Sequence, residues 1–163
     1  MILGMSTQVF TLLHVIISLA AIATGLIAVL ALPANKLSGL TGFFLSTTAL
    51  TSITGFLFPF HGVTPGIILG ILSLIVLLLA AIALYAGKLS GSWRGVYIVS
   101  ATVALWFNVF VLFAQLFAKV PALKAIAPTQ SSPAFGATQI VVLAAFIVLA
   151  IRSLKGFHGA SLT

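Results

Sequence analysis

Residues 93–118 read WRGVYIVSATVALWFNVFVLFAQLFA, and what solvates this stretch decides the fold. It is longer than the ~20 residues a helix needs to cross the hydrocarbon core of a bilayer. Its only charge is Arg94. Stepping about 100° per residue along a helix sorts it into two faces. Trp106, Phe110, Phe113 and Phe117 form one stripe, and Ala101, Ala104, Asn108 and Gln115 form the opposite one. An amide turned to hydrocarbon without a partner costs several kcal/mol. The amide face is therefore expected to look into a helix bundle and the aromatic stripe out to lipid.

Composition points the same way. Of 163 residues, 62% are hydrophobic and 4% charged, far from the range of water-soluble domains. The chain has no Asp, no Glu and no Cys. That removes carboxylate-pair hydrolysis, carboxylate cages for calcium or magnesium, acidic proton relays, disulfides, thiolate nucleophiles, iron–sulfur clusters and cysteine zinc sites. Only His14, His61 and His158 titrate near neutral pH. Serines and threonines are plentiful, but no carboxylate accompanies them to orient a base. No enzymatic activity, catalytic residue or metal site is expected. The basic residues sit singly at segment ends, without a cluster or an interleaved aromatic platform, so nucleic acid is not an expected partner. The bilayer and its anionic lipid headgroups are.

Five apolar runs have spanning length: 8–32, 38–60, 65–86, 93–118 and 135–152. The six prolines fall at their borders or in the last connection, where a missing N–H does no harm. Thr64 followed by Pro65 reads as an N-cap and a first helical position. The first run lacks a basic leader and reads as a retained helix, not a cleaved signal peptide. Lys36, Lys88, Arg94, Arg152 and Lys155 fall on one side of such a bundle, against Lys119 and Lys124 on the other. The richer side is expected to be cytoplasmic. The expected fold is all-α, a single transmembrane domain over residues 1–163 with five helices, N-terminus out and C-terminus in. The connection 119–134 has room between Pro121 and Pro128 for about one and a half helical turns. It is expected to lie on the outer surface as a tether or a lid, with Lys124 reaching toward headgroups.

Faces on the other runs follow from the same rule. In LTGFFLSTTALTSITGFLFPFHG, residues 40–62, Thr47, Thr48, Thr51 and Gly55 share a face. Thr54 lies at its margin, and Leu50, Ile53 and Leu57 lie opposite. Ser46 and Ser52 fall off that face and are expected to bond their own i−4 carbonyls. His14, Ala21, Gly25 and Ala28 align on the first run, and Gly66, Gly70 and Ser73 on the third, as close-approach faces for helix packing. His14 lies about 9 Å inside the outer end. Thr51, Thr54, Asn108, Gln115, Thr138 and Gln139 also fall in the outer half, and His61 at the outer mouth. The inner half is expected to be aliphatic apart from Tyr97, Ser100 and the flanking basic residues.

Three roles fit such a cluster. The first expectation is an accessory, assembly or scaffold protein, its polar residues only locking helices together and its aromatic stripe docking a homo-oligomer or a larger membrane complex. The second is a vestibule that binds or transports a small neutral or anionic solute or a lipid headgroup. Its lining would be His14, Thr51, Thr54, Asn108, Gln115 and Gln139. The third is a redox subunit with b-type haem between His14 and His61. It is weakened because His61 follows a proline-terminated helix in FPFHG. No cofactor is otherwise expected.

The segments TSITGFLFPF, HVIISLAAIATGLIAVLAL and GSWRGVYIVSATVALWFNVFVLFAQLFAKVPALKAIAPTQSSPAF resemble a group of small bacterial multi-pass inner-membrane proteins of unassigned function. The likeness covers most of the chain and implies a place in the cell inner membrane. It brings no activity, ligand or site residue with it. The complete absence of acidic residues departs from that group, whose connections carry an occasional one.

Overall fold

The computed structural model describes residues 1–59, 62 and 65–158. Ser6 opens the first helix, its hydroxyl accepting from the Val9 amide at 3.3 Å. From there α1 runs Thr7–Ala31 and tightens into a 3-10 turn, Leu32–Ala34. Pro33 fits that turn, and Asn35 stops it in the left-handed region at φ 55°, a conformation asparagine tolerates better than most residues.

The expected crossing over 38–60 is cut short. Helix α2 is Thr41–Gly55, 15 residues, or about 22 Å against a hydrocarbon core of about 30 Å. Its start is delayed by a turn in which the Thr41 amide bonds Ser38 O at 3.0 Å. Its end tightens to i−3 bonds, Phe56 N to Ile53 O and Leu57 N to Thr54 O, both 3.2 Å. Pro59 has no N–H with which to continue. Phe60 and Thr64, which bear on the expected span end and the next N-cap, lie outside the described residues.

Helix α3 is Pro65–Ala81 and continues as a π-helical turn, Ile82–Ala86; α4 is Trp93–Lys119, α5 Pro121–Ile126 and α6 Pro133–Gly156. Among the described residues all the helices and the single isolated bridge, Ile2 with Met5, are accounted for by these elements and the N-terminal turn. Four helices are long and apolar enough to cross a membrane: α1, α3 and α4 with α6. Five were expected; α2 falls below that length. The short α5 lies where ALKAIA predicted it.

Helix α1 packs on α2, α2 on α3, α3 on α4, and α4 back on α1, while α6 lies outside against α4 and the 3-10 turn. Gly25 is the point where three of these meet. A Cβ there would stand 2.7 Å from Leu105 Cδ1 on α4 and from the Phe44 ring on α2, so only a hydrogen permits the approach. Val29, Leu32, Phe44, Tyr97, Ile98, Ala101 and Leu105 are fully or almost fully buried. They place the core toward the end of the bundle that carries Asn35 and Arg94. That end is also fastened across elements. Asn35 Oδ1 accepts from the His158 amide at 2.8 Å, the Arg94 guanidinium donates to the His158 carbonyl, and Gly156 is pressed on the Pro33 carbonyl.

The aromatic stripe of α4 does not face outward as expected. Phe117 is buried and Trp106, Phe110 and Phe113 are half-buried. Phe135 of α6 meets Phe110 and Phe117 edge-on, at centroid distances of 6.2 and 5.6 Å. An apolar stripe is satisfied equally by lipid or by another apolar helix, and here α6 takes the place. Of the opposite face of α4, Ala101, Ala104 and Asn108 are buried as predicted, whereas Gln115, expected on the same inward face, is exposed. The outward apolar surface is instead that of α6, where Ile140, Val141 and Val148 are exposed, and of α1 and α3.

Candidate functional site

Beyond Leu105, toward the end that carries Lys119, the four helices α1–α4 enclose a cavity of about 710 Å³, within the range of small-molecule sites. Apolar side chains, among them Leu19, Ile22, Leu69 and Leu112, supply much of its wall. Set into that wall are a few polar groups whose bonding can be followed atom by atom.

His14 enters from α1, half-buried. Its Nδ1 lies 2.8 Å from Thr54 Oγ1. The Thr54 hydroxyl also sits 2.7 Å from the Leu50 carbonyl. Either partner can donate in the contact between the ring and the threonine, according to the tautomer. Phe58 stands edge-on to the imidazole at 5.2 Å and fixes its plane.

The α2 hydroxyls divide into two kinds. Thr47 donates to Phe43 O at 2.7 Å and Ser52 to Thr48 O at 3.2 Å, each bonding back along its own helix. Thr51 does not. Its hydroxyl oxygen is fully buried and has no partner among the described residues, while other atoms of the residue border the cavity. Ser73 of α3 is in the same state, with the residue only 3% exposed. A buried polar group left unbonded costs about 1–3 kcal/mol. Asn108 spans from α4 to α2, its Nδ2 donating to Thr48 Oγ1 at 3.1 Å. Gln115 is exposed on the wall, and Lys119 at the rim is the one basic lining residue.

The structure thus brings together His14, Thr51, Asn108 and Gln115, with Thr54 directly behind the imidazole. It does not bring Gln139 to them. That amide donates to the Phe110 carbonyl at 3.2 Å in the seam between α4 and α6, and its Oε1 is buried without a partner. His61 lies outside the described residues, and His158 sits at the opposite end of the bundle. Among the described residues no group of three metal-ligating side chains occurs. Gly25 and Gly70 are close-approach positions, Gly70 against the Phe56 ring at 2.8 Å from an added Cβ. Gly66 is exposed at the cavity mouth.

Four polar lining residues went unrecognised in the sequence: Thr11, Ser18, Ser52 and Ser73. Ser73 read only as a small packing residue, although its spacing from Gly70 put it on the inner face. Ser52 read as an outlier but is buried and lines the cavity. The polar asymmetry also needs correction. Thr41, Thr102 and Ser153 are buried in the Arg94 half, so hydroxyls occur at both depths, whereas the His14 imidazole and the wall amides belong to the Lys119 half. No protein-family model, curated protein or solved structure matches the chain.

Proposed function

We propose that this chain is a multi-pass membrane protein that holds a small amphiphilic molecule in the cavity at its Lys119 end and performs no chemistry on it. In this reading α2 and its flanking turns make a fifth, thin crossing. The Lys119 end faces out, because five of the seven basic side chains gather at the other end. The membrane is the cell inner membrane, with anionic headgroups answering the cations of both rims.

One observation carries the proposal: a cavity of about 710 Å³ in the Lys119 half sets His14, Thr51, Asn108 and Gln115 among apolar side chains. The closed core around Val29, Phe44 and Leu105 supports a blind pocket over an open pore. The lack of any carboxylate supports binding over catalysis. The aromatic stripe that would dock a partner in an assembly role meets Phe135 of α6 at Phe110 and Phe117.

The test is mass spectrometry of the intact protein released from native-lipid nanodiscs, compared with Ser18→Phe, which fills the cavity from α1. A small molecule retained by the wild type and lost from the variant is expected, with both proteins equally helical. Identical spectra for the two proteins would contradict the reading.

A further inference from the structure

We infer that the cavity takes a long-chain anionic amphiphile from the surrounding leaflet, its carboxylate or phosphate head at Lys119 and Gln115 and its chain lying inward toward Ile22 and Phe107. The inference rests on the binding role proposed above and adds the chemical class of the occupant and its route in.

The cavity is polarised along the bundle axis. At its mouth Gln115 and Lys119 both line it and are both exposed. Deeper in, the polar side chains are already engaged within the protein. Ser18 donates to the His14 carbonyl at 2.7 Å, Ser52 to the Thr48 carbonyl at 3.2 Å and Asn108 to Thr48 Oγ1 at 3.1 Å. The hydroxyl oxygens of Thr51 and Ser73 are buried within the wall. The deep wall therefore offers an occupant mainly Ile22, Leu69, Phe107 and Leu112. Phe107 is twelve positions from Lys119 along α4, about 18 Å. A molecule that fills this space meets charge at one end and hydrocarbon at the other.

The sign of the head follows from the charges present. Lys119 is the one Lys or Arg of the lining, and the chain has no Asp or Glu to pair with it. An anion at the mouth is attracted to that ammonium, more strongly beside hydrocarbon than in water. A cationic head would meet like charge and no carboxylate. Gln115 precedes Lys119 by four positions, so the two are neighbours on one helix face, about 6 Å apart at Cβ. A carboxylate or phosphate can be reached by both side chains.

The route in is marked by exposure. Val15 and Leu19 on α1 and Val111 on α4 line the cavity and are also exposed, at 38, 48 and 36%. Residues that belong both to the wall and to the outer surface border an opening. It lies between α1 and α4, which close on each other only deeper, at Gly25 and Leu105. In a bilayer such a slot opens to acyl chains, so a chain can pass sideways into the cavity without crossing water.

The experiment measures retention of hexadecanoate, hexadecyl phosphate and hexadecanol by the full chain in nanodiscs, corrected against empty discs, at an alkaline pH that ionises the carboxyl group. At least one of the two anions should be retained about fivefold more tightly than the alcohol, and the tighter of the two identifies a carboxylate or a phosphate head. Lys119→Gln, a change at an exposed position, should weaken that anion about fivefold and leave the alcohol unchanged. Hexadecanoate with a diazirine beside its carboxylate should photolabel α4 near Gln115 and Lys119. With the diazirine at the far end of its chain it should label near Ile22 or Phe107. Equal retention of anions and alcohol, or a Lys119→Gln variant that weakens both alike, would overturn the anionic head and leave the binding role standing. Labelling in the reverse order, or confined to α6, would overturn the placement. Retention of none of the three probes would remove the binding role with it.

Discussion

Thr54 Oγ1 stands 2.8 Å from His14 Nδ1 and at the same time 2.7 Å from the Leu50 carbonyl oxygen. This pair of contacts ties the imidazole of α1 to the backbone of α2 through one hydroxyl. A ring nitrogen's role is set by the bond the other nitrogen makes, and here that bond comes from a threonine already anchored to its own helix.

Thr54→Val removes the anchor. Nitrogen NMR of histidine-labelled protein should show His14 as a single tautomer in the wild type and as a mixture in the variant. Stability should fall by about 1 kcal/mol.

The Asn108–Thr48 bond ties α4 to α2 at the cavity wall. A double-mutant cycle of Asn108→Leu and Thr48→Val, read by unfolding in detergent, should give a coupling of about 0.6–1 kcal/mol, the usual size for side-chain bonds between membrane helices. Asn108→Leu alone should leave the bundle folded and change ligand retention.

Gly156 and Gly136 form a contrasting pair on one helix. A Cβ at Gly156 would collide with the Pro33 carbonyl, whereas nothing lies within 4 Å of one at Gly136. Gly156→Ala should destabilise by about 1–3 kcal/mol. Gly136→Ala should be neutral or stabilise by up to about 1 kcal/mol. Thermal unfolding of the two variants compares them directly.

If α6 covers the aromatic stripe of α4, then Phe135→Ala should cost about 3 kcal/mol or more. Ile140, on the outer side of the same helix, is 69% exposed. Ile140→Ala should change stability by no more than about 0.5 kcal/mol. Equal effects at the two positions would mean that α6 is not seated on Phe110 and Phe117.

The inward face of α4 was legible in the sequence because an amide in hydrocarbon needs a partner, and Asn108 could find one only inside. Its aromatic face was not legible. Phe117 gains as much from lipid as from Phe135, so periodicity alone cannot separate a bilayer from a neighbouring helix. Thr51 could be placed on an inward face, but whether its hydroxyl bonds back to its helix depends on a rotamer, which spacing does not encode. The same holds for Ser52, which does bond back, and Ser73, which does not. Gln139 was visible as a buried polar residue, yet its partner is the Phe110 carbonyl, a group every residue has and no motif marks. The length of α2 turned on turn geometry at Ser38 and Phe56, while hydropathy ran unbroken past both.

The most direct measurement is a density map of the protein in native-lipid nanodiscs, at a resolution that shows side chains. The account predicts non-protein density in the cavity bordered by His14, Thr51, Asn108 and Gln115. A cavity without such density, or one closed by contact of α1 with α4, would contradict it.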